Sequence, residues 1–167
     1  MLPQPLLRRN RLSESMSAEI GFIGAGKMAE ALIGGLVAKG VFDRDGIVAC
    51  APSAATRERV ASTQGIRVLE TAKDVCSEAG IVVLAVKPKH VPEVFAEGLD
   101  LSGKLLISIV AGLTLDKMNS YVPDTKNVRV MPNHCCMVLE GAMGYCCDQS
   151  LTDSDRARVA SILEAVG

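Results

Sequence analysis

The sequence predicts an α/β fold with a doubly wound, mostly parallel sheet, and three observations predict it. From Ala18 onward, short apolar runs alternate with helical stretches, the pattern of strands joined by crossover helices. The runs IVVLAV (81–86) and LLISIV (105–110) are almost continuously apolar, so both faces of those strands must be covered. The first strand runs straight into Gly24-Ala25-Gly26-Lys27-Met28-Ala29, a G-x-G-x-x-A turn that opens a helix.

Six strands are expected, at 19–23, 46–50, 66–69, 81–86, 104–110 and 127–131. The first helix covers 27–39 and ends at Gly40; the second covers 53–62 and ends near Gly65. A glycine after the last apolar position supplies the left-handed conformation of a helix end. Helices at 72–78 and 91–97 follow, then one at 115–121 with Thr114 as N-cap and a last one at 153–166 capped by Thr152. The segment CMVLEGAMGYC between them is mixed in character and is assigned to neither class. No internal repeat or low-complexity tract is present.

With 18 basic and 19 acidic side chains in 167 residues, the chain has no long-range field for a phosphate backbone, so nucleic acid is excluded as a partner. No apolar run approaches the ~20 residues of a membrane helix, so no membrane partner is expected either. Folding a chain of this length removes roughly 70% of its unfolded surface from water, enough for one core without staples. Residues 1–17 read as a disordered leader or a spurious start, because Arg8, Arg9 and Arg11 are followed by no apolar core. Residues 18–167 read as a dinucleotide-binding domain incomplete at its C-terminal end. Cys50, Cys76, Cys135-Cys136 and Cys146-Cys147 show no C-x-x-C spacing and read as reduced thiols of a cytoplasmic protein. Grouping His134 with the two pairs as a metal site lacks ligand spacing.

The glycine turn carries the chemistry. Gly24 permits the tight turn, Gly26 lets a pyrophosphate approach the backbone, and Ala29 allows close helix-to-strand packing. The amides of the helix start then face the ligand with the positive end of the helix dipole. Such a turn marks a Rossmann-like dinucleotide site. An NAD enzyme usually places a carboxylate at the end of the second strand, where this chain has Ala51-Pro52-Ser53. Asp43 and Asp45 precede that strand and should sit at its other end. NADP is therefore favoured, with NAD as the alternative. Ser53, Thr56 and Arg57 stand where a 2′-phosphate would lie, Arg57 through a charge-assisted contact. Ser53 reads equally as a plain N-cap and Arg57 as a solvated helix face. At the next strand ends, Lys87 reads as a phosphate or ribose contact or as a surface lysine, and Asn133 as a polar group near the reacting centre or as a turn former.

The strings IGFIGAGKMAEAL (20–32), LAVKP (84–88), SIVAGL (108–113), VRVMPN (128–133) and EGA (140–142), in that order and spacing, closely resemble the pyrroline-5-carboxylate reductases. The resemblance covers roughly 18–167. It implies hydride transfer from NADPH, sometimes NADH, to the cyclic imine 1-pyrroline-5-carboxylate, giving L-proline. It implies that Ile23, Gly24, Ala25, Gly26, Lys27 and Met28 hold the pyrophosphate and that Ala51 and Ser53 lie near the adenosine phosphate. It further implies that Ala85, Val86, Lys87 and Pro88 run along the cofactor. Residues 108–112, with Ala111 and Gly112 among them, and Asn133 would line the nicotinamide side. No Ser-His-Asp or paired-carboxylate constellation is needed, because the cofactor carries the chemistry.

Three departures stand out. His134-Cys135 replaces the family's usual Thr-Pro, Ala72 stands where Asn is frequent, and the helical C-terminal domain, through which the full-length reductases form homo-oligomers and grip substrate, is lacking. The resemblance thus implies a cofactor-binding part, inactive alone. Two other readings share the opening turn: a deazaflavin-dependent NADP oxidoreductase or β-hydroxyacid-type dehydrogenase, and a dinucleotide-binding module without catalysis.

Overall fold

A computed structural model describes residues 17–167; the leader read over 1–17 lies outside them apart from Ser17. In chain order the elements are β1 (Ala18–Ile23), α1 (Lys27–Ala38), β2 (Ile47–Cys50), α2 (Ala54–Gln64), β3 (Arg67–Leu69), α3 (Ala72–Glu78), β4 (Ala79–Leu84), α4 (Val91–Ala96), β5 (Leu105–Ser108), α5 (Leu115–Tyr121), β6 (Lys126–Met131), β7 (Gly144–Cys147) and α6 (Asp153–Leu163). They build one seven-stranded sheet in the order β3-β2-β1-β4-β5-β6-β7, parallel except for antiparallel β7. From β1 the chain first winds outward through β2 to β3, then crosses back to lay β4 on the other side of β1. The direction of winding therefore reverses between β1 and β4, and ligands of such sheets bind outside the carboxyl ends at that reversal.

Two cores flank the sheet. Ile20, Phe22, Ile81, Val83 and Ile107 point into one with α1, α2 and α6, while Val82, Leu84 and Leu106 point into the other with α3, α4 and α5. Successive strand residues face opposite sides, which is why a doubly covered strand reads as an unbroken apolar run. The expected α/β class and doubly wound parallel sheet are borne out. No helix among the described residues is long and apolar enough to cross a membrane.

The caps fall where side-chain chemistry puts them. Ser53, Thr71 and Thr114 accept from the backbone N–H three residues on, and Thr152 with Asp155 forms a reciprocal capping box. Gly65 ends α2 at φ 66°. Ser53 is thus an N-cap rather than the first helical residue.

Several boundaries differ from expectation, α2 running to Gln64 rather than 62 among them. β4 runs two residues earlier and stops at Leu84, because Lys87-Pro88 opens a 3-10 turn and proline donates nothing to a ladder. β5 stops at Ser108, whose hydroxyl accepts from Val110 N at 3.2 Å and draws the backbone out of the strand. α6 ends at Leu163 rather than 166. The mixed segment holds a seventh strand, β7, paired with β6 from Val128↔Cys147 to Met131↔Gly144. Three of its four residues are exposed and Cys147 is half-buried, so the run is too short for an apolar period to signal it.

Gly34 and Gly35 are adjacent in α1, yet their surroundings differ. A Cβ on Gly35 would lie 2.5 Å from Ala165 O and from Val166 Cγ1, whereas one on Gly34 meets only Gln64 Oε1 at 3.7 Å. Gly35→Ala should destabilise by about 1–3 kcal/mol and Gly34→Ala should stabilise by about 0.5–1 kcal/mol, both read by thermal unfolding. Asp155 ties α6 to β6 by accepting from Lys126 Nζ at 2.7 Å and from Thr152 N and Oγ1 at 3.0 and 2.7 Å. Burial works to raise its pKa, but these donors outweigh burial and hold the carboxyl below its usual 3.8. The stabilisation is therefore complete above 3.8 and lost as acid carries the pH through the lower folded value. Asp155→Asn should lower the melting temperature at pH 7, with the gap to wild type closing as the pH falls below that point.

Candidate cofactor site

Gly24 leaves β1 with φ at +99°, and its amide donates to Cys50 O at the end of β2. A Cβ there would sit 2.7 Å from Ala85 O at the end of β4. Only glycine satisfies both the backbone angle and the contact. The turn is thereby squeezed between β2 and β4, and α1 starts directly over the winding reversal.

Gly26 is the N-cap of α1, with no side chain capping the helix. The first intrahelical bond runs from Glu30 N to Gly26 O at 2.9 Å, so the amides of Lys27, Met28 and Ala29 have no partner inside the helix. A Cβ on Gly26 would meet nothing within 4 Å. Unpaired helix-start amides beneath open space, with the positive end of the dipole behind them, suit a diphosphate. Ala25 is buried, whereas Gly26 and Lys27 are exposed.

One carboxylate lies in the first turn of α1, and its charge is compensated. Glu30 accepts both of its hydrogen bonds from Arg59 Nη1 on α2, at 2.7 and 2.8 Å, with the Glu30 side chain only 13% exposed. Residues 29 positions apart on different helices carry no sequence signal, and this pair was not anticipated. Asp43 and Asp45 flank the turn that precedes β2, at the far end of that strand, as expected.

After β2, Ser53 Oγ accepts from Thr56 N at 3.5 Å. Arg57 turns back along the loop, its Nη1 donating to Ala51 O at 2.9 Å and Pro52 O at 2.8 Å. Ala51 is buried. Ala85 keeps one sheet bond, donating to Ile23 O at 2.9 Å. Val86 is half-buried, and Lys87 and Pro88 are exposed. Pro88 meets Ala111 and Gly112 in the wall of a cavity of about 350 Å³ that also touches Val91, Lys117 and Tyr121. The structure thus brings the ends of β1, β2, β4 and β5 to one edge. Asn133 lies after β6, where its Oδ1 accepts from Ala142 N at 3.3 Å and holds the loop. His90 pairs with Glu93 at 3.1 Å on the surface.

The family described as NADP oxidoreductase coenzyme F420-dependent matches residues 19–112, which run from β1 to the loop after β5. The chain belongs to this family. The pyrroline-5-carboxylate reductase of Vibrio alginolyticus is 38% identical over 152 residues, 89% of this chain and 56% of the relative. That of Arabidopsis thaliana is 36% identical over 153 residues, 90% and 55%. Among solved structures, the Coxiella burnetii pyrroline-5-carboxylate reductase superposes with TM-score 0.84 at 29% identity, over 90% of this chain and 57% of that one. The Plasmodium falciparum pyrroline carboxylate reductase with NADP bound gives 0.80 at 30%, over 91% and 56%. The chain thus spans about half the length of the relatives it matches. The resemblance drawn from the five strings is borne out. The coenzyme in this family's description is that of the deazaflavin reading, but the match stops at 112, whereas the reductase matches run over nine-tenths of the chain.

All six cysteines are free, and among the described residues no three of His, Cys, Asp and Glu converge on a metal position. Burial pushes the Cys50 thiol up to about 11, with the Gly24 hydrogen bond opposing it. Burial likewise pushes Cys76 up to about 12, against the pull of Lys104. At pH 8 both should resist iodoacetamide in the native protein and react only on unfolding, while exposed Cys135 and Cys146 react at once; peptide mass mapping of the labelled protein checks this.

Proposed function

We propose that the chain is the NADP-binding part of a pyrroline-5-carboxylate reductase, working in the cytoplasm on 1-pyrroline-5-carboxylate and yielding L-proline. The observation that carries the reading is the β1–α1 turn: uncapped amides at the start of α1 under open space above Gly26, at the reversal of the sheet. The names of the relatives support the substrate, and the free thiols are consistent with a reducing compartment.

NADPH, when bound, supplies the hydride. The protein's work is placement. Gly24 sets the turn, the amides of Lys27, Met28 and Ala29 receive the pyrophosphate with Ile23 and Ala25 beside them, and the Arg59 partner keeps Glu30 from repelling it. Ala51 and Ser53 border the adenosine end, and residues 51–53 carry no carboxylate to accept from the ribose hydroxyls, which favours NADPH over NADH. Ala85, Val86, Lys87 and Pro88 run along the cofactor. Ala111, Gly112 and Asn133 border the nicotinamide side. An imine protonated on nitrogen is already a strong hydride acceptor, so holding ring against ring is the main requirement.

Because the chain has no tryptophan, NADPH fluorescence reports binding without interference. Wild type should bind NADPH, and binding of neither NADPH nor NADH at millimolar concentration overturns the reading. Gly26→Val should keep the fold, since a Cβ there meets nothing within 4 Å, with the melting temperature nearly unchanged. Its added methyls fill the diphosphate space, so the Kd for NADPH should rise about tenfold or more.

A further inference from the structure

We propose that Arg57 is a positioning residue for the adenosine end of the cofactor: it clamps the loop that follows β2 instead of binding a 2′-phosphate itself. The inference rests on the dinucleotide reading of the site and revises the contact expected of Arg57 from sequence.

Both N–H bonds of Nη1 are in use, to Ala51 O at 2.9 Å and Pro52 O at 2.8 Å; of the five guanidinium donors only those of Nε and Nη2 remain, and Nη2 faces the Glu70 carboxylate at 4.0 Å rather than open space. Two carbonyls that bond one nitrogen must converge on it, which sets the path of the loop. Ala51 is 4% exposed and its amide is held by Leu69 O at 3.4 Å. Swinging Arg57 out would strip the Ala51 carbonyl of its guanidinium partner in a buried place, where an unpaired carbonyl is costly. The side chain is 23% exposed, and Nη2 stands 4.0 Å from Glu70, which points into solvent at 75% exposed.

The same residue also changes the charge that the loop presents. Carbonyl oxygens near a phosphate would repel it, and here a cation occupies two of them. The loop is further tied to the first turn of α2, by Arg57 N bonding Ser53 O at 3.0 Å and Thr56 N bonding Ser53 Oγ at 3.5 Å. A clamp of this kind shapes the bed for the adenosine ribose, which NADPH and NADH share. Arg57 therefore acts on both nucleotides. Discrimination between them falls to Ser53 and to the lack of a carboxylate among residues 51–53.

The test titrates wild type, Arg57→Met and Arg57→Lys with NADPH, NADH and reduced nicotinamide mononucleotide, which has no adenosine. Arg57→Met should raise the Kd of both dinucleotides by about fivefold or more, in the same proportion, and leave the mononucleotide unchanged. Arg57→Lys keeps the charge but not the planar two-carbonyl fork, so it should resemble Arg57→Met rather than wild type. A loss confined to NADPH, or its recovery in Arg57→Lys, overturns the clamp and makes Arg57 a phosphate ligand. Unchanged dinucleotide binding, or equal weakening of the mononucleotide, also overturns it. Should Arg57→Met not fold, Arg57→Lys alone decides between the same outcomes. Wild type that binds none of the three ligands defeats the dinucleotide reading itself, which separates that failure from failure of the clamp.

Discussion

At the end of β1 there is no room for a side chain. The Gly24 amide is committed to Cys50 O of β2, and the space a Cβ would take is filled by Ala85 O after β4. Three neighbouring strands are thus locked through one residue, and the backbone angle of +99° follows from that lock. The next residues must turn upward, which starts α1 over the reversal of the sheet with its first amides unspent. Ala29, Leu32, Ile33 and Leu36 then seat the helix in the core, so the direction of its dipole is a consequence of packing. The unpaired amides are therefore presented by the fold itself, with no side chain capping the helix.

Electrostatics around this bed are arranged by removing negative charge rather than by gathering positive charge. Glu30, which stands in the first turn of α1, is neutralised by Arg59 across the gap between α1 and α2. The carboxylates nearest β2 in sequence sit at its opposite end. Ala51 and Pro52 carbonyls are covered by a guanidinium. With 18 bases against 19 acids, the chain has no net field to steer an anion. Local compensation of Glu30 by Arg59 performs that task at the start of α1, and at short range it is less affected by salt.

How much of this was legible in the sequence follows from the range of each interaction. The glycine turn, the caps at Ser53, Thr114 and Thr152, and the apolar strands could be read because each is decided by residues a few positions apart or by a period. The Glu30–Arg59 pair, 29 residues apart, could not, since nothing local marks which surface charges meet. Arg57 reads from sequence as a 2′-phosphate contact or a solvated helix face; in the first turn of α2 its contacts depend on where two carbonyls point, and a sequence carries no backbone direction. β7 was missed because an exposed antiparallel edge strand pairs on one side only and carries no apolar period. Ser108 and Pro88 cut two strands short through local hydrogen bonding and a missing donor, effects that compete with strand propensity and win at strand ends.

The two ends of the site differ in what holds them, and the difference has a physical origin. On the adenosine side, β2 lies next to β1 and its loop is fixed by charge-assisted bonds of 2.8–2.9 Å to a half-buried arginine. The far side lies at β6, with β4 and β5 between it and β1, and the loop after β6 rests on the longer bond from Ala142 N to Asn133 Oδ1, 3.3 Å. There the sheet is running out: β7 is paired on one side only. Met131, Met137, Val138 and Tyr145, the large apolar residues left most exposed among those described, all fall between the end of β6 and β7. β2 and β6 each have two strand neighbours, β3 and β1 for one and β5 and β7 for the other, so the difference comes from the bonds that hold each loop and not from the place of the strand in the sheet. On the proposed reading, the adenosine half of the cofactor would therefore rest on a loop held by a cation, and the half that carries the reacting ring on a loop held by a neutral amide oxygen.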